Sequence, residues 1–338
     1  MLENASGSAA PYFDELAVGM VFDRSPAMTL NAGHAAIHQA VLGDRLRLAL
    51  DAGLSRRVLG SDRQLAHPGL VWDVAIGQST VVTQRVIANL FYRALVFHRS
   101  PSIGDTLHTS VEVAGLRQNR PRPRRQATGL AALRVTTRDQ DERLVLDFWR
   151  CAMLPLSDAR GQTGHDDDLG LIGVTADPPP LAVAVAGWDL GAFREAVPGE
   201  HIEALASDQS WEVLGGDVVS AAPELARLTL NIAFAHHDRT ASPDDRRLVY
   251  GGHTIGLVCA HVTRALPNLV TIVAWHSCDH LGPVYEGDTL RTTLELERIE
   301  PLADGGGLVH LRARATAVGR GDGADAEVLD WRLAAVMA

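Results

Sequence analysis

The feature that most constrains the fold is a repeat. Gly104-Asp105-Thr106-Leu107 returns 183 residues later as Gly287-Asp288-Thr289-Leu290. At the same offset Val111 and Val113 fall on Leu294 and Leu296, and Asp147 falls on Asp330. After each Gly-Asp turn apolar residues alternate with polar ones, the period of a strand with one buried face. A single four-residue identity is weak, but a shared offset across several strands predicts a duplicated unit.

Each unit reads as helix and then strands. In the first, residues 29–51 carry helical periodicity and Ala66-His67-Pro68-Gly69 precedes an apolar, helix-like run at 70–82. Strand-like runs rich in Val, Leu, Thr and aromatics follow at 86–97, 106–115, 127–137 and 143–154. In the second, a run at 225–234 and an apolar helix at 253–266 precede strands at 269–275, 289–299, 308–317 and 328–337. Short connections make the strands antiparallel, and the apolar helix covers one sheet face. The expected class is α+β, with units at 11–156 and 186–338. The stretch 157–185, containing GHDDD and DPPP, reads as an interdomain linker, and residues 1–10 as a disordered lead.

With 338 residues the chain is long for one core, in keeping with two domains. A net charge of −10 argues against wholesale nucleic-acid binding. Cys151, Cys259 and Cys278 show neither metal-ligand spacing nor a disulfide pattern, which fits a reducing cytoplasm. The first ten residues lack the basic start and apolar stretch of a signal peptide, and no run approaches the length of a membrane span.

Chemistry concentrates at residues 231–266. Asn231 and His236 lie just upstream of Val249-Tyr250-Gly251-Gly252-His253, where a helix begins with Ile255, Val258, Cys259, Val262 and Leu266 on one face. A helix N-terminus offers free N–H groups and partial positive charge, and glycine lets a substrate approach the backbone. An amide and an imidazole facing such donors form a water-activating pair opposite an oxyanion hole. Against this stands the bland reading that Gly-Gly is a turn and His236 structural. Six of the 14 histidines lie between His236 and His280, but none shows a spacing like H-E-x-x-H, so no metal is expected.

The segments PYFDELAVGMVF at 11–22 and PVYEGDTL at 283–290, and Asn231–His236 followed by VYGGH, resemble the double-hotdog acyl-CoA hydratases of the MaoC-like group. Within it, VIANLFY at 86–92, GDTLHTSVEVAGLRQNR at 104–120 and LVYGGHTIGL at 248–257 are most similar to mesaconyl-CoA hydratases, also called β-methylmalyl-CoA dehydratases. The resemblance implies two tandem hotdog domains, each an antiparallel sheet wrapped round a central helix. It implies an enoyl-CoA substrate, no cofactor beyond the substrate's CoA, and a homodimer. The group places Asp where this chain has Asn231, and His where it has His236. In the first unit Asp44 takes the place of Asn231, Ala49 that of the histidine, and Ala66-His67-Pro68 that of Val249-Tyr250-Gly251. The second unit is therefore expected to be catalytic and the first to wall the pocket.

In that chemistry His236 deprotonates water, Asn231 holds the water, and the Gly251 N–H, with Gly252 next, binds the thioester oxygen. An amide cannot exchange protons as a carboxylate does, so Asn231 is expected to orient. Candidates for holding the substrate are Tyr250, His253, Arg93, Arg246 and Arg247, with Arg93 or His253 for an acyl carboxylate. Arg246, Arg247 and the basic run Arg120 to Arg125 are candidates for the CoA phosphates. A hotdog thioesterase normally carries a carboxylate on or near the central helix, which 253–266 lacks. The resemblance is also compatible with a dehydratase acting on carrier-bound substrate and with a non-catalytic acyl-CoA binding protein.

Overall fold

The computed structural model describes residues 10–174, 180–241, 246–303, 305–319 and 324–338; most of the predicted N-terminal lead lies outside them. The first half runs β1 (Val21–Phe22), β2 (Met28–Thr29), α1 (Ala32–Leu42), α2 (Arg47–Leu50), α3 (Ala52–Leu59), α4 (Pro68–Gln78), β3 (Ala88–Phe97), β4 (Thr106–Gln118), β5 (Thr128–Arg138) and β6 (Leu144–Pro155). The second runs α5 (Leu190–Ala196), β7 (Ser210–Glu212), β8 (Asp217–Val218), α6 (Ala222–Leu228), α7 (Gly251–Ala265), β9 (Leu269–His280), β10 (Thr289–Pro301), β11 (Gly307–Val318) and β12 (Ala326–Met337). The long strands fall where the alternation placed them.

The repeat is explained by its turn. Gly104 and Gly287 adopt φ of +102° and +91°, a region side chains disfavour. Asp105 then accepts the Ser102 N–H at 2.8 Å, and Asp288 accepts the Tyr285 N–H at 3.1 Å. The same local circuit needs the same two residues. Each copy also adds two short strands to the strand after the turn: β1 and β2 pair with β4, as β7 and β8 pair with β10.

The two sheets are one. The order is β1-β4-β5-β6-β3-β9-β12-β11-β10-β7, with β3 and β9 antiparallel at the seam, Tyr92 opposite Cys278 and Leu95 opposite Trp275. The sheet bends round α4 and α7. Every residue of α4 is buried, as suits a helix apolar on nearly every side. Trp72 of α4, Trp275 of β9 and Trp331 of β12 meet edge to face, with centroids 4.9 to 6.1 Å apart. Each such pair adds about 0.5–1.5 kcal/mol beyond its area. Trp72 thereby pins the first-half helix to second-half strands.

Most of the segment read as a linker lies against the structure. Asp166 bridges to Arg117, Asp167 accepts the Leu116 N–H at 2.8 Å, and Leu169 packs with Phe91, Leu130 and Ala132 on the face opposite α4. Val185 joins Leu190 and Phe193 in a second cluster over the seam, against Val270 and Val273 of β9. DPPP falls largely outside the described residues. Among the described residues no helix is long and apolar enough to cross a membrane.

Candidate active site

Asn231 and His236 ride on a segment docked onto α4, Asn231 on irregular backbone and His236 at the end of a 3-10 turn, Phe234–His236. Gly77 makes the docking possible, because any side chain there would meet the Thr229 carbonyl. Leu230 takes φ of +60°, turning the next residue inward. The Ile232 N–H donates to Thr80 Oγ1 at 3.0 Å and the Phe234 N–H to the Gln84 carbonyl at 2.8 Å. His237 Nε2 donates to the Asn231 carbonyl at 2.6 Å.

These side chains open into a cavity of about 560 Å³ whose wall includes Asn231, His236, Tyr250, Gly251, His280 and Arg150. Both halves contribute: Thr80, Asn89, Arg125, Arg150 and Met153 come from the first. His236 is 8% exposed. Its Nδ1 lies 2.9 Å from the Leu248 carbonyl and must donate to it, which leaves the Nε2 lone pair as acceptor. Burial lowers its pKa to about 4, against the opposing pull of that carbonyl, so the ring is neutral at pH 7. The Asn231 side-chain oxygen accepts the Ala233 N–H at 3.0 Å. That bond occupies one lone pair of the amide oxygen and leaves the NH₂ as the donor the amide can offer to the cavity.

Gly251 and Gly252 do open α7, and no side chain caps the helix; the His253 N–H turns back to the Tyr250 carbonyl at 2.9 Å, which leaves the N–H groups of the two glycines uncapped. Gly251 lines the cavity; a Cβ on it would lie 2.7 Å from His280 Nε2. Gly252 faces away, into Asp73 and the Tyr250 ring. Tyr250 presents its ring to the cavity while its hydroxyl donates to Asp73 Oδ1 at 3.2 Å.

Four expected contacts lie elsewhere. Arg93 packs over the Phe91 ring and donates to the Gly170 carbonyl. Arg246 stacks on Tyr285, 3.8 Å from Asp288, and its twin at the repeat offset, Arg63, pairs with Asp105; both brace the repeated turn. Arg247 pairs with Glu286. His253 is fully buried beside His38, with neither ring nitrogen hydrogen-bonded and its pKa brought to about 4 by burial first and His38 second. None of the four lines the cavity.

Two cavity residues escaped sequence reasoning. His280 ends β9, its Nε2 buried and without a partner, its pKa lowered to about 4 by burial and then by Arg150. Arg150 was visible in principle: Leu146, Phe148, Arg150, Ala152 and Leu154 share one face of β6, and an arginine among apolar residues at period two is out of place.

The first-half counterpart is closed. His67, at the place of Tyr250, caps α4 by accepting the Gly69 N–H on Nδ1 at 2.9 Å. Its proton therefore sits on Nε2, 2.8 Å from Asp44 Oδ1. Burial pushes the Asp44 carboxyl up, but His67, the Leu46 N–H and the Cys259 thiol together hold it below its ordinary value. Asp44, His67 and Cys259 lie close enough to share a metal ion. The Nδ1 cap, however, puts the ring proton on Nε2, facing the Asp44 carboxylate, so that nitrogen has no lone pair to give a metal as the ring stands.

A helix-wrapping sheet of two fused copies, with a cavity at the second central helix, defines a tandem hotdog protein. No protein-family model matches the chain. A conserved hypothetical protein of Mycobacterium tuberculosis, essential for bacterial survival during infection and with a double hotdog fold, is 54% identical, covering 98% of this chain and 99% of that one, with a TM-score of 0.92. A MaoC-domain dehydratase structure from Chloroflexus aurantiacus is 23% identical, covering 98% and 99%, with a TM-score of 0.82. The mesaconyl-CoA hydratase of Cereibacter sphaeroides is 25% identical over 319 residues, 90% of this chain and 89% of that one. The β-methylmalyl-CoA dehydratase of Chloroflexus aurantiacus is 25% identical over 306, 87% and 84%. The chain belongs to the double-hotdog family of the Mycobacterium tuberculosis protein, and it is similar to the MaoC-like hydratases.

Proposed function

We propose that the protein is a hydro-lyase that adds water reversibly across the double bond of an enoyl-CoA thioester. The observation that carries this is His236: its tautomer is set by the Leu248 carbonyl, and its free Nε2 shares one cavity with Asn231 and the uncapped N-terminus at Gly251. Water accepts from the Asn231 NH₂ and gives its proton to His236 Nε2 as its oxygen bonds to the β-carbon. Charge moves onto the thioester oxygen, against the Gly251 N–H, a donor worth about 3 kcal/mol in the transition state. The imidazolium then delivers the proton to the α-carbon. The reaction as drawn uses no cofactor beyond the substrate's CoA.

The cavity mouth suits CoA. The exposed Arg120 to Arg125 run lies between β4 and β5, and Arg125 lines the opening, where it can meet phosphate. The two hydratase relatives favour a short branched dicarboxylic acyl group such as mesaconyl. The test is a panel of mesaconyl-, itaconyl- and crotonyl-CoA, followed by loss of absorbance of the conjugated thioester and by free-thiol release. Hydration of one or more esters without CoA release is expected. Release of CoA without hydration would replace this reading with a thioesterase.

A further inference from the structure

We propose that Arg150 reads the acyl chain, and that the preferred substrates carry a free carboxylate on it. The proposal rests on the acyl-CoA reading above and deepens it.

Arg150 is 3% exposed, yet it lines the cavity. Its Nη1 donates to Ser79 Oγ at 2.7 Å and its Nη2 to Thr83 Oγ1 at 3.1 Å, while its Nε has no partner. Ser79 passes its own hydroxyl proton to the Ile76 carbonyl at 2.6 Å, so its oxygen is free to accept from the guanidinium. Two neutral hydroxyls thus orient the guanidinium without neutralising it. Among the described residues no carboxylate pairs with Arg150. Asp73 is engaged by Tyr250 and His38. Tyr92 and Tyr250 have pKa values raised by burial, and burial first lowers His236 and His280, so none of the four can offer a negative charge.

A buried charge is costly unless paired, and arginine offers five N–H donors in a planar fork suited to a carboxylate. Two are spent on hydroxyls, so three remain. Arg125 stands on an exposed loop at the mouth, whereas Arg150 is buried among the reactive groups. The phosphates belong to the former and the acyl end to the latter. Occupation has a chemical consequence: the charge of Arg150 contributes to depressing both His236 and His280, and a carboxylate would offset it. A carboxylate-bearing substrate thereby makes the His236 base stronger as it binds.

The test is equilibrium binding of two saturated thioesters that cannot be hydrated, methylsuccinyl-CoA and 2-methylbutyryl-CoA, which differ by a carboxylate against a methyl. The wild-type protein should bind the first about 10- to 100-fold more tightly, the range for hydrogen bonds to a buried charge. In Arg150→Met the preference should vanish, and in Arg150→Lys it should shrink several-fold, since the ammonium cannot form the fork. Equal binding of the two esters by the wild type overturns the proposal, as does an undiminished preference in either variant. Should Arg150→Met not fold, the wild-type ratio and Arg150→Lys decide. A carboxylate preference that depends on Arg150, without hydration of any enoyl-CoA, would sink the hydratase reading and leave this one standing.

Discussion

Gly77→Ala should cripple the site from outside it. The added methyl would lie 1.7 Å from the Thr229 carbonyl oxygen and 3.1 Å from the Asn231 nitrogen. Ordinary contact begins near 3.4 Å, so helix α4 and the 229–236 segment must part by about 1.7 Å. Both are backbone and neither can rotate aside. Parting them breaks the Ile232-to-Thr80 and Phe234-to-Gln84 hydrogen bonds. Overpacking costs about 1–3 kcal/mol, and each of the two donors left unpaired about 1–3 more, so the loss should be roughly 3–9 kcal/mol. The same movement carries Asn231 and His236 off the cavity wall, and a displacement of about 1 Å typically costs ~100-fold in rate. Denaturant unfolding gives the first number. Turnover of the best enoyl-CoA, measured where the variant is still folded, gives the second. Stability within about 1 kcal/mol of wild type and activity within about threefold would refute the claim that this contact positions the site.

His236→Ala should cut turnover by about 100-fold or more, and Asn231→Ala by less; the reverse order in steady-state kinetics would overturn the roles given them. His236, His253 and His280 each have a pKa lowered from 6.5 to about 4, chiefly by burial. Between those values the unfolded chain binds protons that the folded chain refuses, so stability falls as pH falls. The loss is roughly 2 kcal/mol per histidine between pH 7 and 5, and urea unfolding that gave the same stability at both would contradict it. Burial raises the thiol pKa of Cys151 to about 11 and lifts those of Cys259 and Cys278. A thiol reagent should therefore label none of the three in the native protein and all three in urea.

The strands and the doubling were legible because the Gly-Asp turn and the period-two alternation are local, and local rules act alike in both copies. The helix start at Gly251 was legible for the same reason. What the chain order hides is which distant surfaces meet. Arg93 lies one place from Tyr92 on a strand, so its side chain falls on the opposite face and ends over Phe91. Arg246 and Arg247 are near the active stretch in sequence but are claimed by Asp288 and Glu286 at the turn. His253 follows the two glycines and turns with the helix into the interior. Arg150 and His280 reach the cavity only because β6 and β9 flank β3, a pairing set by the seam between the halves. Asp44 was read as what is left of a catalytic pair whose histidine had become Ala49; only the fold shows that it lies against His67 and against Cys259 from the other half.

Because β3 and β9 join the two copies edge to edge within a single polypeptide, the copies were released from symmetry. Two identical chains cannot differ in what they place at equivalent positions, whereas this chain has a blocked niche at His67 and an open one at Tyr250. Titration with a tight-binding substrate analogue should accordingly saturate at one equivalent per polypeptide, whatever number of polypeptides associate.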